Sequence, residues 1–256
     1  MESRFVTRGV VLRETVTKET DKILTLLSED RGKLAVIARG ARRANSRYSA
    51  AAQPLAFSEW TLSHRGDWYY ASDAATLELF PELRRNLDAL ALAFYFAELT
   101  EAAALEEVPA RPLVRHLLNG CYALGTLRKS PELVKPAFEL KFLCLAGFEP
   151  VADACAYCGN PSPAEPVLDL VQGVVRCRTC GTEDRSPSLP LCRDSLAALR
   201  HIVYGDEKRL YSFRMGPEAL RRLSAASEGF LSAQLERNFR TLDFYKSLSP
   251  SEQEEC

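Results

Sequence analysis

The chain has 256 residues, of which 46% are hydrophobic and 26% charged, and 33 basic against 34 acidic side chains leave a formal charge of −1. A chain of this length and composition can bury a sizeable core and fold as one or two domains without disulfide support. Because the total charge is near zero, it excludes any prediction of a polyanionic partner from net charge alone, and such a prediction has to rest on local charge.

The first residues contain no apolar segment of the kind that a secretory signal requires. The longest apolar stretch, Leu87 to Leu105, contains Asp88, Glu98 and Glu101, and three carboxylates strongly disfavour a membrane span. Eight cysteines without a signal peptide are typical of a reducing compartment. We therefore expect a cytoplasmic protein in which this stretch is a buried helix.

Residues 5–79 are rich in strand-forming runs. Short β-rich runs near the N-terminus are followed by a hairpin pattern around Gly32, and two further runs cover Leu55 to Leu62 and Trp68 to Leu77. A loop rich in arginine, alanine and serine occupies 40–53. About five strands in about 75 residues are typical of a small closed barrel.

A basic segment crosses the middle of this region. Between Arg31 and Arg47 the chain carries six basic side chains and no acidic one, so the rest of the chain is net acidic. This polarity indicates a cationic surface for a phosphate backbone, with a solvated basic loop as the alternative. The candidate phosphate-binding residues are Arg31, Lys33, Arg39, Arg42, Arg43 and Arg47.

Aromatic residues lie on the neighbouring predicted strands. They are Trp60, Trp68, Tyr69 and Tyr70. Aromatic rings beside cations on a barrel face suit the stacking of unpaired bases, and Trp68 joins the six cations as a candidate DNA-binding residue. For each single ring the alternative is packing in the barrel core.

Helical periodicity begins after Pro81. Leu113 to Leu127 continues it, and a third helix runs to about Ala146, starting at Ser130-Pro131 or at Pro136. It returns over Asp194 to Val203 and over 217–248. The predicted organisation is α+β and multidomain: a five-stranded barrel at 1–80, helices at 81–150 and 190–248, a separate module at 151–189 and a disordered tail at 249–256.

Two C-x2-C pairs lie in the proline- and glycine-rich stretch 150–190. Cys155 and Cys158 form the first pair, Cys177 and Cys180 the second, and 18 residues separate the pairs. Each pair is followed by a glycine, which permits the sharp turn that points both sulfurs at one ion. Four thiolates complete a tetrahedral zinc site and leave no position for water, so we expect structural Zn2+. The alternatives are a thioredoxin-like redox motif or coincidence.

Other signs of catalytic chemistry are sparse. Cys121 and Cys144 fall in apolar helical contexts, whereas Cys192 and Cys256 have no recognisable partner. The three histidines lie in three different regions, and no phosphate-binding loop, dinucleotide fingerprint, nucleophile elbow or zinc-protease motif occurs. The sequence therefore predicts a binding protein and no enzyme.

Several stretches resemble the bacterial RecO recombination-mediator family. They are 9–13, 21–27, above all Gly32-Lys33-Leu34-Ala35-Val36-Ile37-Ala38-Arg39-Gly40-Ala41-Arg42-Arg43, and the helix 138–150 that leads into the first cysteine pair. The order of these segments covers nearly the whole chain. The resemblance implies an N-terminal OB-fold, a helical domain and a zinc ribbon inserted between helices.

The same resemblance implies a function that cannot be inferred from composition and residue spacing. It implies binding of single- and double-stranded DNA, annealing of complementary strands, and loading of RecA onto strands coated by single-strand DNA-binding protein (SSB). It implies RecR as a partner and capture of the C-terminal tail of SSB. Three alternatives from the residues stay open: an RNA- or transcription-associated OB/zinc-ribbon protein, a metal-dependent nuclease, and a protein-binding scaffold.

Overall fold

The computed structural model describes residues 3–181 and 186–248, and the predicted tail at 249–256 lies outside the described residues, as does Cys256. The described chain clusters into two compact units. The first unit contains the residues up to Arg128 together with those from Phe239 onward, and the second contains the described residues between Lys129 and Asn238.

A closed five-stranded barrel forms the N-terminal part of the first unit. Its strands are β1 (Ser3–Thr17), β2 (Asp21–Ser28), β3 (Gly32–Ala38), β4 (Phe57–Arg65) and β5 (Trp68–Glu78). They follow one another in the order β1-β2-β3-β5-β4, with β1 pairing antiparallel to β4 and β3 running parallel to β5. This is an OB-like barrel, and the predicted fold class is confirmed.

The β-rich runs at the N-terminus form one strand instead of several. Ser3–Val10 pair with β4 and Gly9–Thr17 with β2, so the two pairings overlap at Gly9 and Val10. A register shift between Val11 and Arg13 lies within the pairing with β2. At Gly9, a Cβ atom would lie 2.6 Å from the carbonyl oxygen of Leu27. Only glycine therefore allows the two strands to approach so closely where β1 changes partner.

The segment between β3 and β4 fills one part of the barrel core. Ala41, Tyr48, Ala51 and Ala52 are buried against the apolar faces of the strands, in one cluster with Trp60. The arginines of the same segment are exposed. Small and apolar residues therefore anchor this segment in the core and hold its guanidinium groups in solvent.

Six helices lie in the described parts of the chain. They are α1 (Leu87–Ala103), α2 (Arg111–Gly125), α3 (Pro131–Leu145), α4 (Arg193–Tyr204), α5 (Pro217–Leu235) and α6 (Arg240–Leu248). Asn86 is the N-cap residue of α1, and its side chain accepts a hydrogen bond from the backbone N–H of Ala89 (2.9 Å). None of the described helices is long and apolar enough to cross a membrane.

The second unit contains α3, α4 and α5 and a small three-stranded sheet. The sheet has the order β7-β6-β8, with β6 (Pro166–Asp169) between β7 (Val175–Cys177) and β8 (Ser188–Pro190). Helix α3 begins at Pro131 and contains Pro136 in its interior. Of the two predicted starts, the one at Ser130-Pro131 is therefore the observed one. The predicted helical stretch 217–248 is divided at Glu236, whose φ of 49° lies in the left-handed region.

Candidate nucleic-acid interface and metal centre

Three of the predicted cations come together in one groove on the barrel. Arg39, Arg43 and Arg47 line a depression of about 590 Å3, which we call the barrel groove. Its other lining residues are Gly40, Asn45, Ser46, Tyr48, Ala71 and Ser72. The groove contains no carboxylate among its lining residues, so its potential is positive and suited to a polyanion.

The backbone at the end of β3 directs these side chains. Gly40 has a φ of 70°, and its N–H donates to Oδ1 of Asp21 (2.8 Å). This bond holds the pKa of Asp21 below its ordinary value. The guanidinium of Arg39 lies over the ring of Tyr70 at 5.0 Å, and that of Arg47 over Tyr48 at 5.5 Å. Cation–π contacts of this kind orient a guanidinium without neutralising it.

Arg65 was not among the predicted binding residues. It lies at the end of β4, and its guanidinium is 5.9 Å from the centre of the Tyr70 ring, the ring that Arg39 also covers. The parallel pairing of β3 with β5 brings Tyr70 opposite Ile37 and so next to the start of the basic segment. The spacing of residues along the chain does not predict that Arg39 and Arg65 lie over the same ring, because this arrangement depends on closure of the barrel.

The other three predicted cations lie apart from the barrel groove. Arg42 turns toward the β1–β2 turn, where its Nη1 donates to the carbonyl of Glu19 (2.9 Å). Arg31 lies over the ring of Phe5 at 4.1 Å. Lys33 is half-buried on β3, and its backbone N–H donates to the carbonyl of Leu105 (3.0 Å).

The surroundings of Arg31 differ in charge from the barrel groove. Arg31 lines a second depression together with Asp30, Tyr69, Glu107 and Pro109. Two carboxylates in this depression lower the positive potential around the guanidinium. A phosphate would therefore be held less firmly here than beside Arg39, Arg43 and Arg47.

None of the six predicted cations forms an ion pair with a carboxylate among the residues that the structure describes. Other arginines of the barrel do: Arg8 pairs with Glu59 (3.1 Å) and Arg13 with Glu101 (3.0 Å). The positive charge of the basic segment is thus available to an external anion.

The predicted aromatic residues divide between core and surface. Trp60 is fully buried in the barrel core, and Tyr69 packs against that core and stacks on His64 with ring centres 4.6 Å apart. Trp68 is 39% exposed at the β4–β5 turn and does not line the barrel groove. Tyr70 is half-buried beneath Arg39 and Arg65.

The four cysteines of the two C-x2-C pairs meet in the second unit. The sulfur atoms of Cys155, Cys158, Cys177 and Cys180 all lie within 4.8 Å of one another, a cluster that can hold a metal ion. None of the four forms a disulfide. Closely grouped, unpaired thiols are the donor set of a closed tetrahedral site, and the residues therefore fit structural Zn2+.

Backbone geometry supports this cluster. Gly159 and Gly181, one after each pair, have φ values of 70° and 64°. The left-handed backbone at Gly181 favours glycine, and a Cβ atom there would lie 2.4 Å from the ring of Tyr157, which would have to move. The backbone N–H of Cys177 donates to the sulfur of Cys155 (3.3 Å), as is usual for a sulfur that carries negative charge.

Burial opposes ionisation of Cys155, but backbone N–H groups of Cys158, Cys177 and Tyr157 together outweigh it and lower its pKa to about 6. The thiolate is the form that binds a metal. The surroundings of Cys155 therefore favour the form that a metal site requires.

Family models for recombination protein O match both parts of the chain. The model of the N-terminal part matches residues 1–80 and that of the C-terminal part residues 84–243. DNA repair protein RecO of Acetivibrio thermocellus is 30% identical over 242 residues, which are 94% of this chain and 96% of the relative. The protein of the same name from Desulforudis audaxviator is 35% identical and covers 97% of this chain and 98% of its own.

Proposed function

Because the chain belongs to the RecO family of DNA repair proteins, we propose that it is a non-enzymatic recombination mediator. It binds single- and double-stranded DNA and anneals complementary strands. With RecR it helps to load RecA onto single-stranded DNA coated by SSB, whose C-terminal tail it captures. It acts in the cytoplasm, at the bacterial nucleoid. Residues 1–80 are its DNA-binding domain, and 151–189 form its zinc module within the helical part.

The observation that carries this proposal is the barrel groove, in which three guanidinium groups face solvent without a carboxylate among the lining residues. We assign the phosphate contacts first to Arg39, Arg43 and Arg47. Arg31, Lys33 and Arg42 add to the positive field of the barrel from outside the groove. Trp68 is exposed at the edge of β5 and is available for stacking on a base.

The annealing mechanism follows from charge. Two complementary strands repel each other through their phosphates, and a cationic surface lowers this repulsion without forming or breaking a covalent bond. Guanidinium groups that have no carboxylate partner need not exchange an internal ion pair for the phosphate. They therefore bind it with less loss of existing interactions than Arg8 or Arg13 would.

Zn2+ would be held by Cys155, Cys158, Cys177 and Cys180 and would supply a structural crosslink in place of a larger core. The sheet β7-β6-β8 has only short strands, the longest of them Pro166–Asp169. A module of this size depends on such a crosslink for its stability.

An annealing assay tests the proposed function. Complementary strands pre-coated with SSB are mixed with the protein, with and without RecR, and duplex formation is followed by fluorescence. We expect faster annealing than with SSB alone, and no shortening of the strands when Mg2+ is added. An excess of single-stranded RNA should compete poorly. Absence of annealing, degradation of DNA or a clear preference for RNA would each contradict the proposal.

A further inference from the structure

A second cleft lies within the second unit, between the small sheet and the start of α4. It has a volume of about 1130 Å3, and we call it the α4 cleft. Its charged lining residues are Glu165, Arg176, Arg178, Arg193, Arg200 and Arg222. Arg178 pairs with Glu165 (3.6 Å) and Arg222 with Glu218 (2.8 Å), whereas Arg176, Arg193 and Arg200 form no ion pair among the described residues. The cleft is therefore positive, although the DNA-binding proposal does not use it.

Arg176 is the most unusual of these arginines because it is only 6% exposed. Its Nη1 donates to the carbonyls of Cys180 (2.9 Å) and Cys177 (3.5 Å) and its Nη2 to Oγ of Ser188 (3.3 Å), so these hydrogen-bond partners are neutral. Its buried Nε has no hydrogen-bond partner among the described residues. Negative charge near a buried guanidinium reduces the cost of its burial, and part of it comes from Asp169, whose pKa is lowered in part by the charge of Arg176. Arg176 also lines the cleft and so adds its positive charge to the surroundings of any anion bound there.

Cys192 lines the same cleft at the start of α4. It is half-buried and is the N-cap residue of the helix, in a capping box with Ser195, whose hydroxyl lies 3.4 Å from the cysteine sulfur. A helix N-terminus stabilises negative charge, and a thiolate is the nucleophilic form of cysteine. The sulfur therefore has the surroundings of a reactive thiol instead of those of a core residue.

The acidity of this thiol agrees with the geometry. Burial opposes ionisation of Cys192, but the hydroxyl and backbone N–H of Ser195, the N–H of Asp194 and the charge of Arg222 outweigh it and lower its pKa. Burial raises the pKa of Cys121 to about 12 and that of Cys144 to about 11. The charged groups around the cleft are Glu165, Arg176, Arg178, Arg193, Asp194, Arg200, Glu218 and Arg222.

We propose that the α4 cleft binds small disulfides that carry carboxylates and that Cys192 exchanges with them. The Cys192 thiolate attacks one sulfur of the bound disulfide, the S–S bond of that disulfide breaks, and a mixed disulfide forms while the second sulfur leaves as a thiolate. The small disulfide supplies the oxidising equivalents, so that electrons balance. The arginines hold the carboxylates, and the apolar lining, including Pro163, Leu191 and Leu196, contacts the rest of the molecule.

The test compares an anionic and a neutral chromogenic disulfide on the full-length, zinc-loaded protein carrying Cys256→Ser, so that Cys256 cannot contribute to the labelling. The anionic reagent is dithionitrobenzoate and the neutral one is dithiodipyridine. Each rate is divided by the rate of the same reagent with a small free thiol. We expect one rapidly modified cysteine, located at Cys192 by peptide mass spectrometry, and a relative rate that favours the anionic reagent. In Cys192→Ser this rapid phase should be lost while the fold is kept, because serine is a preferred N-cap residue.

Charge variants separate binding in the cleft from simple exposure of the thiol. Arg193→Gln combined with Arg222→Gln should reduce the relative rate of the anionic reagent about tenfold, the effect expected where local charge concentrates an ionic reagent. The matched control is Arg209→Gln with Arg214→Gln, which removes the same charge from exposed arginines outside the cleft lining and should leave the ratio unchanged. Rapid labelling that persists in Cys192→Ser, or a ratio that does not respond to the first pair, would overturn the proposal.

Discussion

At the scale of single residues, Asp21 links the start of β2 to the basic segment. Its Oδ1 accepts hydrogen bonds from the N–H of Gly40 (2.8 Å) and from the hydroxyl of Thr20 (3.1 Å), and the bond from Gly40 is the main reason that its pKa is lowered. The neighbouring Arg39 and Arg43 line the barrel groove. One carboxylate thus holds the turn from which the groove arginines project.

Protonation of Asp21 should release this turn. Since the pKa of Asp21 in the folded protein lies below its ordinary value of 3.8, its contribution to stability is complete above that value and is lost as the pH falls through the lowered pKa. Asp21→Ala should remove the acceptor at every pH. We expect faster hydrogen exchange at Gly40 in this variant and weaker DNA binding at neutral pH.

Asp21→Asn is the matched control, because its amide oxygen can still accept the bond from Gly40. It should retain more protection than Asp21→Ala. Equal exchange at Gly40 in the wild-type protein and in both variants would show that the side chain does not hold the turn.

Some residues of the candidate sites could be predicted from the sequence and others could not. The two C-x2-C pairs predicted a cluster of four sulfurs, since their spacing and following glycines express the geometry of a tetrahedral site locally. The meeting of Arg39 and Arg65 over Tyr70 was not predictable, because it joins three parts of the chain through strand pairing. The separation of Arg31 from the barrel groove was equally hidden, since it depends on which side of the barrel each turn occupies.

At the scale of elements, a buried charge cluster joins α3 to α5. Nζ of Lys135 contacts Glu139 (2.8 Å) and Glu228 (2.9 Å), and the hydroxyl of Ser227 donates to Glu139 (2.7 Å). Burial lowers the pKa of Lys135, but the two carboxylates outweigh this effect and raise it. The cluster therefore positions the two helices through interactions that depend on one another.

Removal of the cation should be costly. Lys135→Met removes the cation that contacts the fully buried Glu139, and we expect a loss of about 3–5 kcal/mol in the free energy of unfolding. The double variant Lys135→Met with Glu139→Leu removes both charges and should be less destabilised than the single variant. Denaturant titrations measure both. A double variant that is as unstable as the sum of the two single variants would show that the charges do not interact.

The zinc module provides the second prediction at this scale. Cys155→Ser combined with Cys158→Ser removes two of the four clustered sulfurs and should abolish tight metal binding, because two thiolates do not complete the site. Atomic absorption should find about one zinc per chain in the wild-type protein and none in the variant. Circular dichroism should show the barrel strands retained.

The matched control for the zinc module is Cys144→Ser, which changes a cysteine outside the cluster and should keep the metal. Stoichiometric zinc in the double-serine variant would refute the assignment of the ligands.

Elements were predictable where one local pattern dominated. The apolar run before Leu105 was expected to be a buried helix, and α1 is buried over most of its length. The single long β1 and the division between α5 and α6 were not expected, because the run of apolar residues does not show where the backbone changes partner or enters a left-handed conformation. Gly9 is a sequence feature that accompanies the change of strand partner in β1. The local sequence around Glu236 does not indicate its left-handed conformation.

At the scale of the whole molecule, the positions of the charged residues matter more for binding than the net charge. A chain with a formal charge of −1 keeps a groove with three arginines and no carboxylate on its barrel, while Arg8 and Arg13 of the same barrel are paired with glutamates. Family membership makes DNA repair the setting in which this surface acts. The net charge does not indicate this cationic surface, whereas the run of basic residues from Arg31 to Arg47 does.

The most direct test is the salt dependence of binding to single-stranded DNA. If six phosphates are engaged, log K should fall with log salt with a slope of about −4 in the wild-type protein. Neutralising Arg39, Arg43 and Arg47 to glutamine should make the slope shallower by about 2, one phosphate contact being lost for each side chain.

A control with equal loss of charge, Arg8→Gln with Arg13→Gln and Arg111→Gln, alters arginines that already pair with carboxylates, and it should leave the slope nearly as in the wild-type protein. A wild-type slope near zero, or equal slopes for the two triple variants, would contradict the assignment of the barrel groove as the DNA-binding surface.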